Sequence, residues 1–242
     1  MNLIFAKPTY GPSSDPGFDS SHRRAIMHAA NKGITWVGDL SPDRQGWSAA
    51  RNFIASGAIE IALDNKVDGV FWVDDDLVIP KDTITRLTSH NLDFVSGLYF
   101  QRALPFRPVF GTWNKKDATF DWPGVYEDNI VTPWDGVGFG CSYTSLRLLK
   151  LVSDLPGCKE NGPFGGDFQK KTYGEDFTFC LRALEVGIRP HLDTSVKCRH
   201  YIGPKFSDED LYRKFMVLKG GQIAKARQSD PEDSGYLRQE CF

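Results

Sequence analysis

Hydrophobic and polar positions alternate along the chain in blocks that change period, and the blocks predict strands and helices in turn. Leu3-Ile4-Phe5-Ala6 is a short apolar run that stops at Pro8-Thr9-Tyr10-Gly11-Pro12, a loop signal. Ser20 and Ser21 are placed to cap a helix carrying Ala25, Ile26, Ala29 and Ala30, with Gly33 just past its end. Ile34 to Val37 reads as a second strand closed by Gly38-Asp39, and residues 48–62 as a helix burying Phe53, Ala58 and Ile61. Gly69-Val70-Phe71-Trp72-Val73 is continuous, β-branched and aromatic, as a strand buried on both faces would be. A helix over residues 81–90 and a strand over 94–99 follow. The β-α-β-α-β-α-β order predicts an α/β fold, a doubly wound sheet with helices on both sides.

Residues 101–134 break the rhythm with Pro105, Pro108, Pro123 and Pro133 among many aromatics, and read as loops. Periodicity returns over 139–151 as a strand and a helix. In residues 176–186, Phe177, Cys180, Leu181 and Leu184 share a helical face, and Gly187 ends it. Short strands are expected at 189–192 and 196–198. Ser207 is placed to cap a last helix with Leu211, Phe215 and Leu218 on one face and Gly220-Gly221 after it. The expected organisation is a main domain over 1–203 and a C-terminal helix with a polar tail over 204–242.

Composition narrows the class. A chain of 242 residues, 40% hydrophobic and 25% charged, is long enough for a full core without metal or disulfide staples. Its net charge of −2 argues against bulk electrostatic binding of nucleic acid. No apolar run approaches the roughly 20 residues of a membrane span, and the first residues are too short a run for a signal peptide. The five cysteines are scattered, with no Cys-x-x-Cys pair, so reduced thiols in a cytoplasmic setting are expected.

Ligands of doubly wound sheets collect beyond the carboxyl ends of the strands, and Asp74-Asp75-Asp76 directly follows the buried strand. Three adjacent carboxylates repel one another and resist desolvation. Mg²⁺ or Mn²⁺, held by one or two of them and otherwise by water and substrate phosphate, relieves both costs. Alternation along an extended segment would point Asp74 and Asp76 one way and Asp75 the other. Glu175-Asp176 opens the amphipathic helix, where Asp176 is either a helix-start carboxylate or a base facing a cleft. His200 follows a strand and suits Mn²⁺ or a structural hydrogen bond. Arg51 suits a phosphate, a carboxylate of the aspartate cluster or a surface ion pair. The glycines of Trp134-Asp135-Gly136-Val137-Gly138-Phe139-Gly140 would let backbone approach a ligand closely, but their spacing is not a dinucleotide fingerprint.

Taken in order, the segments from Val70 to Pro80, Gly136 to Gly140 and Gly174 to Cys180, with His200 after them and Ala50-Arg51-Asn52 before them, resemble GT-A-fold glycosyltransferases of the family 2-like group. The resemblance implies a Rossmann-like mixed sheet and a compact enzyme similar to those of bacteriophages and bacteria. It implies Asp76, His200 and Asp74 at a Mn²⁺ or Mg²⁺ ion, and Asp176 as the base of an inverting transfer with Glu175 beside it. Pro8, Thr9, Tyr10, Asp39, Arg51, Asp74, Asp75 and Arg102 would hold a nucleotide-diphosphate sugar, a UDP-sugar first among the candidates. Trp134, Asp135, Gly138 and Phe139 would meet the acceptor, a glycan, a lipid-linked sugar or a hydroxylated DNA base. The rivals are a metal-dependent phosphoryl or nucleotidyl transferase and a non-catalytic nucleotide-sugar-binding module.

Overall fold

A computed structural model of the protein describes residues 1–9, 16–166, 174–202 and 206–226. In chain order the strands are β1 (Asn2–Ala6), β2 (Thr35–Leu40), β3 (Gly69–Val73), β4 (Leu77–Val78), β5 (Phe94–Leu98), β6 (Phe110–Asn114) and β7 (Thr119–Asp121). They continue with β8 (Val131–Pro133), β9 (Gly136–Val137), β10 (Cys141–Ser145), β11 (His191–Lys197), β12 (Arg199–Tyr201) and β13 (Phe206–Ser207). The helices are α1 (Pro16–Asn31), α2 (Trp47–Asp64), α3 (Thr83–Ser89), α4 (Leu146–Ser153), α5 (Glu175–Glu185) and α6 (Glu209–Ala226).

The main sheet runs in the order β2-β1-β3-β10-β5-β11-β8. Strand β1 pairs parallel with β2 and β3, and β11 pairs parallel with β5. Strand β10 lies antiparallel between β3 and β5. The carboxyl ends of β1, β2, β3, β5 and β11 therefore share one edge, and β10 enters the sheet from that same edge. This is the Rossmann-like GT-A arrangement that the sequence predicts.

Side-chain alternation divides the core in two. Val70 and Trp72 of β3 face a cluster containing Ile54 and Ala58 of α2, Leu148 and Leu149 of α4, and Phe179 of α5. Phe71 and Val73 face Ala25 and Ala29 of α1 and Ile84 and Leu87 of α3. Trp72, Phe94, Phe139, Phe164 and Phe179 interlock with ring centres 4.6–5.9 Å apart. Glycine ends α1 and α5 in the same way. Gly33 (φ +86°) and Gly187 (φ +79°) take the left-handed conformation, and the residue after each donates back to the last turn, Ile34 N to Ala29 O and Ile188 N to Ala183 O.

Several elements differ from expectation. Helix α1 begins at Pro16, a residue preorganised for a first helical position, so Ser21 lies inside the helix and donates to the Phe18 carbonyl. Strand β2 runs through Gly38 to Leu40. Phe53 is 52% exposed, while α2 buries Ala58 as expected together with Ala50, Arg51, Ile54 and Ala55. A buried arginine reset the helix's phase. The loop-rich middle forms a small sheet, β7-β6-β9, beside strand β8. Asp208, not Ser207, caps α6 by accepting from Leu211 N at 2.9 Å. That helix buries Tyr212, leaves Leu218 exposed and continues through Gly220-Gly221.

Among the described residues no helix is long and apolar enough to cross a membrane. Cys141, Cys158, Cys180 and Cys198 are buried and unpaired, whereas Cys241 lies outside the described residues.

Candidate functional site

Asp74 to Leu77 do not continue the strand. Leu77 N donates to Asp74 O at 3.3 Å, closing a turn with Asp75 and Asp76 at its centre. The alternation expected of an extended segment is therefore lost, and Asp74 and Asp76 take different partners. Asp74 lies inward against Arg51 Nη2, at 3.1 Å. Asp76 lies toward His200 and Arg102, with Oδ1 3.2 Å from His200 Nε2 and Oδ2 2.9 Å from Arg102 Nη1. Asp75 is half-buried on the turn.

Backbone pairing brings His200 to this turn across a long stretch of sequence. Strand β12 pairs antiparallel with β4, setting His200 opposite Leu77, and Tyr201 N donates to Asp76 O at 3.0 Å. On the other side Asp74 N donates to Gly140 O at 2.9 Å. His22 of α1 points its Nε2 at the Leu77 carbonyl, 2.8 Å away. Burial pushes the His22 pKa down to about 4, so this ring is neutral and donates that bond.

The donor set fits a hard divalent cation. His200 Nδ1 lies 2.8 Å from the Phe100 carbonyl and donates to it, which turns Nε2 toward Asp76. Asp76 Oδ1 is buried and makes no aligned hydrogen bond. Nε2 and this oxygen lie 3.2 Å apart, so the neutral ring would set its lone pair beside those of the carboxylate. Adjacent corners of an octahedron with bonds of about 2.1 Å are about 3 Å apart, so one Mg²⁺ or Mn²⁺ can take both atoms. Among the described residues no group of three or more His, Cys, Asp or Glu is placed to hold a metal ion, so an ion here would have only two protein ligands, Asp76 and His200. An open site of this kind leaves its other positions to water and substrate oxygens. Burial acts to raise the Asp76 pKa, but His200 and Arg102 outweigh it and hold the carboxyl below its usual range.

Arg51 joins this turn to the start of α5. It is 2% exposed and pairs with Asp74 through Nη2 and with Glu175 Oε1 through Nε, at 3.3 Å. Its guanidinium carbon lies 5.5 Å from the centre of the Phe139 ring. Burial alone would lower its pKa, but Asp74, Glu175 and Asp176 together raise it above its ordinary value. Of the three roles open to Arg51, the geometry shows the ordering of carboxylates, not a surface ion pair. Asn52 beside it holds a loop, with Oδ1 accepting from Phe164 N and Nδ2 donating to Asn161 O, both at 2.8 Å.

Asp176 sits in the first turn of α5, and its Oδ1 accepts from Phe177 N at 2.9 Å. A helix start favours a charged carboxylate, yet burial and the neighbouring Glu175 prevail and push Asp176 up to about 7. Near neutral pH this carboxyl can give or take a proton. Tyr99, which the sequence marked only as a strand end, lies between the two halves of the site. Its hydroxyl accepts from Gly140 N at 3.0 Å, and its ring meets that of His200 edge-on with centres 5.8 Å apart. Burial and the carboxylates of Asp176 and Asp74 keep the phenol protonated far above its usual pKa.

Thr9 lies past β1 and Asp39 near the end of β2, at the same edge. Thr9 N and Oγ1 both donate to the Pro42 carbonyl at 3.0 Å, and Ser41 Oγ donates to the exposed Asp39. Pro8 is buried in this loop, and Tyr10 lies outside the described residues.

The acceptor assignments do not survive as a group. Phe139 is fully buried in the aromatic core. Gly138 is shaped for protein and not for ligand, since a Cβ there would fall 1.8 Å from the Tyr99 hydroxyl. Asp135 accepts from Trp113 N at 2.9 Å and pairs with Arg189 at 3.2 Å. Trp134 packs on Phe110 with ring centres 4.6 Å apart. The glycines bring backbone close to Tyr99, Phe177 and Asp74, which builds the floor of the site.

No protein-family model matches the chain, and no curated protein matches it either. Among solved structures, the crystal structure of A197 from STIV is similar at 18% identity, over 84% of this chain and 87% of that one, with a TM-score of 0.53. A glycosyltransferase involved in glycosylation of the major capsid of PBCV-1 aligns at 13% identity, over 64% and 68%, with a TM-score of 0.32. The inositol-1-phosphate CTP transferase from T. maritima aligns at 8% identity, over 91% and 96%, with a TM-score of 0.44. The likeness to A197 is one of fold alone, and the two weaker alignments add nothing about chemistry.

Proposed function

We propose that the chain is a metal-dependent glycosyltransferase that moves a sugar from a nucleotide-diphosphate sugar, uridine nucleotides foremost, to an acceptor hydroxyl with inversion. One observation carries the reading. Asp76 Oδ1 and His200 Nε2 lie 3.2 Å apart at a shared strand-end edge, beside the Asp74 that Arg51 bridges to Glu175, the neighbour of a carboxyl poised near neutral pH. A bound Mn²⁺ or Mg²⁺ would supply positive charge for the diphosphate as it leaves. Asp76 and His200 would hold that ion, with Asp74 behind them. Arg102, half-exposed beside Asp76, adds a second positive charge on the leaving-group side. Asp39 and Thr9, with Asp75 on the turn, would receive the nucleoside. The acceptor oxygen bonds to the anomeric carbon as the bond to diphosphate breaks, and Asp176 takes the hydroxyl proton. Glu175 and Arg51 keep Asp176 in place.

The test is a thermal-shift screen of nucleotide sugars with and without Mn²⁺, followed by assay of sugar release from those that stabilise. Binding at concentrations far above the dissociation constant raises stability by about 3–4 kcal/mol, which such a screen reads easily. Stabilisation by a nucleotide sugar only with metal, and sugar release from it, is expected. Phosphate release from a monoester without sugar release would move the chain to phosphoryl transfer. Stabilisation without turnover across a broad acceptor panel would make it a binding module.

A further inference from the structure

Two arginines pair with the aspartate turn, and they are held in opposite ways. Arg51 is 2% exposed, bridges Asp74 to Glu175 and lies over the Phe139 ring. It cannot move away without stranding two carboxylates that are shielded from water. The Arg102 side chain is 53% exposed, and among the described carboxylates it pairs with Asp76 alone. A half-exposed pair of this kind adds little net stability, so its guanidinium is exchangeable. The backbone beneath Arg102 is nevertheless anchored. Phe100 bridges to Pro108, Gln101 N donates to Arg107 O at 2.9 Å, and Phe106 N donates to Ala103 O at 2.8 Å. Arg102 thus projects from the base of a closed loop and can change partner by side-chain rotation.

Asp76 gives its two oxygens to different partners. Oδ1 lies 3.2 Å from His200 Nε2, and Oδ2 accepts from Arg102 Nη1 at 2.9 Å. A divalent cation at Oδ1 would share this carboxylate with the guanidinium, and two positive charges on one carboxylate repel. With Asp76 and His200 as its sole protein ligands among the described residues, the cation has little to set against that repulsion. A diphosphate changes both sides of the balance. Its oxygens complete the coordination of the cation, and they accept the guanidinium's hydrogen bonds in place of Asp76. We infer that Arg102 is an exchangeable counter-ion of Asp76, which keeps divalent cations weakly held until a diphosphate draws the guanidinium away. This role presupposes the metal-dependent glycosyltransferase reading and adds to it a regulation of the site, in which donor and cation are retained together.

Isothermal titration calorimetry on wild type, Arg102→Gln and Arg102→Lys tests this without any turnover. Each protein is titrated with Mn²⁺ alone, then with UDP in the presence and absence of Mn²⁺. Neither substitution opens the core, because the side chain is half-exposed, and circular dichroism checks that both variants are folded. Arg102→Gln should bind Mn²⁺ alone about tenfold more tightly than wild type, and should bind UDP more weakly. Arg102→Lys keeps the charge and should stay near wild type in its affinity for Mn²⁺ alone. An arginine that merely pins its loop would leave Mn²⁺ affinity unchanged or lower it when removed. Mn²⁺ binding no tighter to Arg102→Gln than to wild type therefore overturns the counter-ion role, even where UDP binding requires Mn²⁺. An equal gain in Arg102→Lys and Arg102→Gln overturns it too, since charge would then not be the cause. UDP that binds wild type equally with and without Mn²⁺, or not at all, overturns instead the reading on which the role depends.

Discussion

The two halves of the site are built by different means. The Asp74–Leu77 turn is laced in by main chain on both sides, through Gly140 on β10's approach and through β12. The start of α5 depends on side chains, the Arg51 bridge and the packing of Phe177 against Phe120 and Trp122. Backbone pairing tolerates the loss of any one side chain, so the turn should keep its shape when its carboxylates are neutralised. A buried arginine between two carboxylates is less forgiving, because each partner is left charged and unsolvated when it goes.

Arg51→Ala should produce the largest effect. Removing it leaves Asp74 and Glu175 without their shared cation, a loss of about 3–5 kcal/mol in unfolding free energy. Denaturant titration would measure it, and a near-parental midpoint would break the contrast between the halves. Asp176→Asn should lower transfer about 10²–10⁴-fold while leaving donor and metal binding in place. Its stability carries a sign as well. The folded pKa near 7 lies above the unfolded value of about 3.9, so the native state holds its proton longer, and stability falls as the pH climbs through that window. Asparagine carries no such cost. The variant should melt above the parent at pH 8, with the gap closing below about pH 4. A gap independent of pH would contradict the raised carboxyl.

Gly140→Ala probes the laced half directly. The added Cβ would fall 2.8 Å from Leu77 Cδ1 and 3.0 Å from Asp74 Oδ2, and overpacking of this kind costs about 1–3 kcal/mol. His200→Gln should move stability least, by about 1 kcal/mol, because β12 stays paired. It should nevertheless abolish the thermal shift given by Mn²⁺. A large loss of stability with the metal response retained would show that His200 serves the fold alone.

The alternation of short apolar runs and amphipathic stretches made the sheet and its flanking helices legible, because burial on both faces of a strand leaves a plain trace at residues 69–73 and 94–98. Asp74-Asp75-Asp76 stood out for the same reason, as charge at the end of a buried run. Its conformation did not, since nothing local distinguishes a turn from an extended end when β12 supplies the decisive bonds from far along the chain. Arg51 was visible as a candidate with three roles open, pairing with the aspartate cluster among them, and the choice stayed open because its burial depends on Asp74 and Glu175 arriving from separate elements. Phe139 and Gly138 misled in the opposite direction. Glycines that admit a ligand and glycines that admit a tyrosine ring look alike in sequence, and only the position of Tyr99 separates them. Tyr99 itself left no signal beyond its place at a strand end.

Because β10 inserts head-first between β3 and β5, the chain that departs at the end of β5 comes home to the edge it left. Residues 99–140 thus form a long excursion with both ends on one rim of the sheet, and on the way it lends β8 to the far edge beside β11. Insertions between those ends leave the strand order of the frame unchanged, whereas Tyr99, Arg102 and Gly140 at the ends themselves tie the excursion to the site.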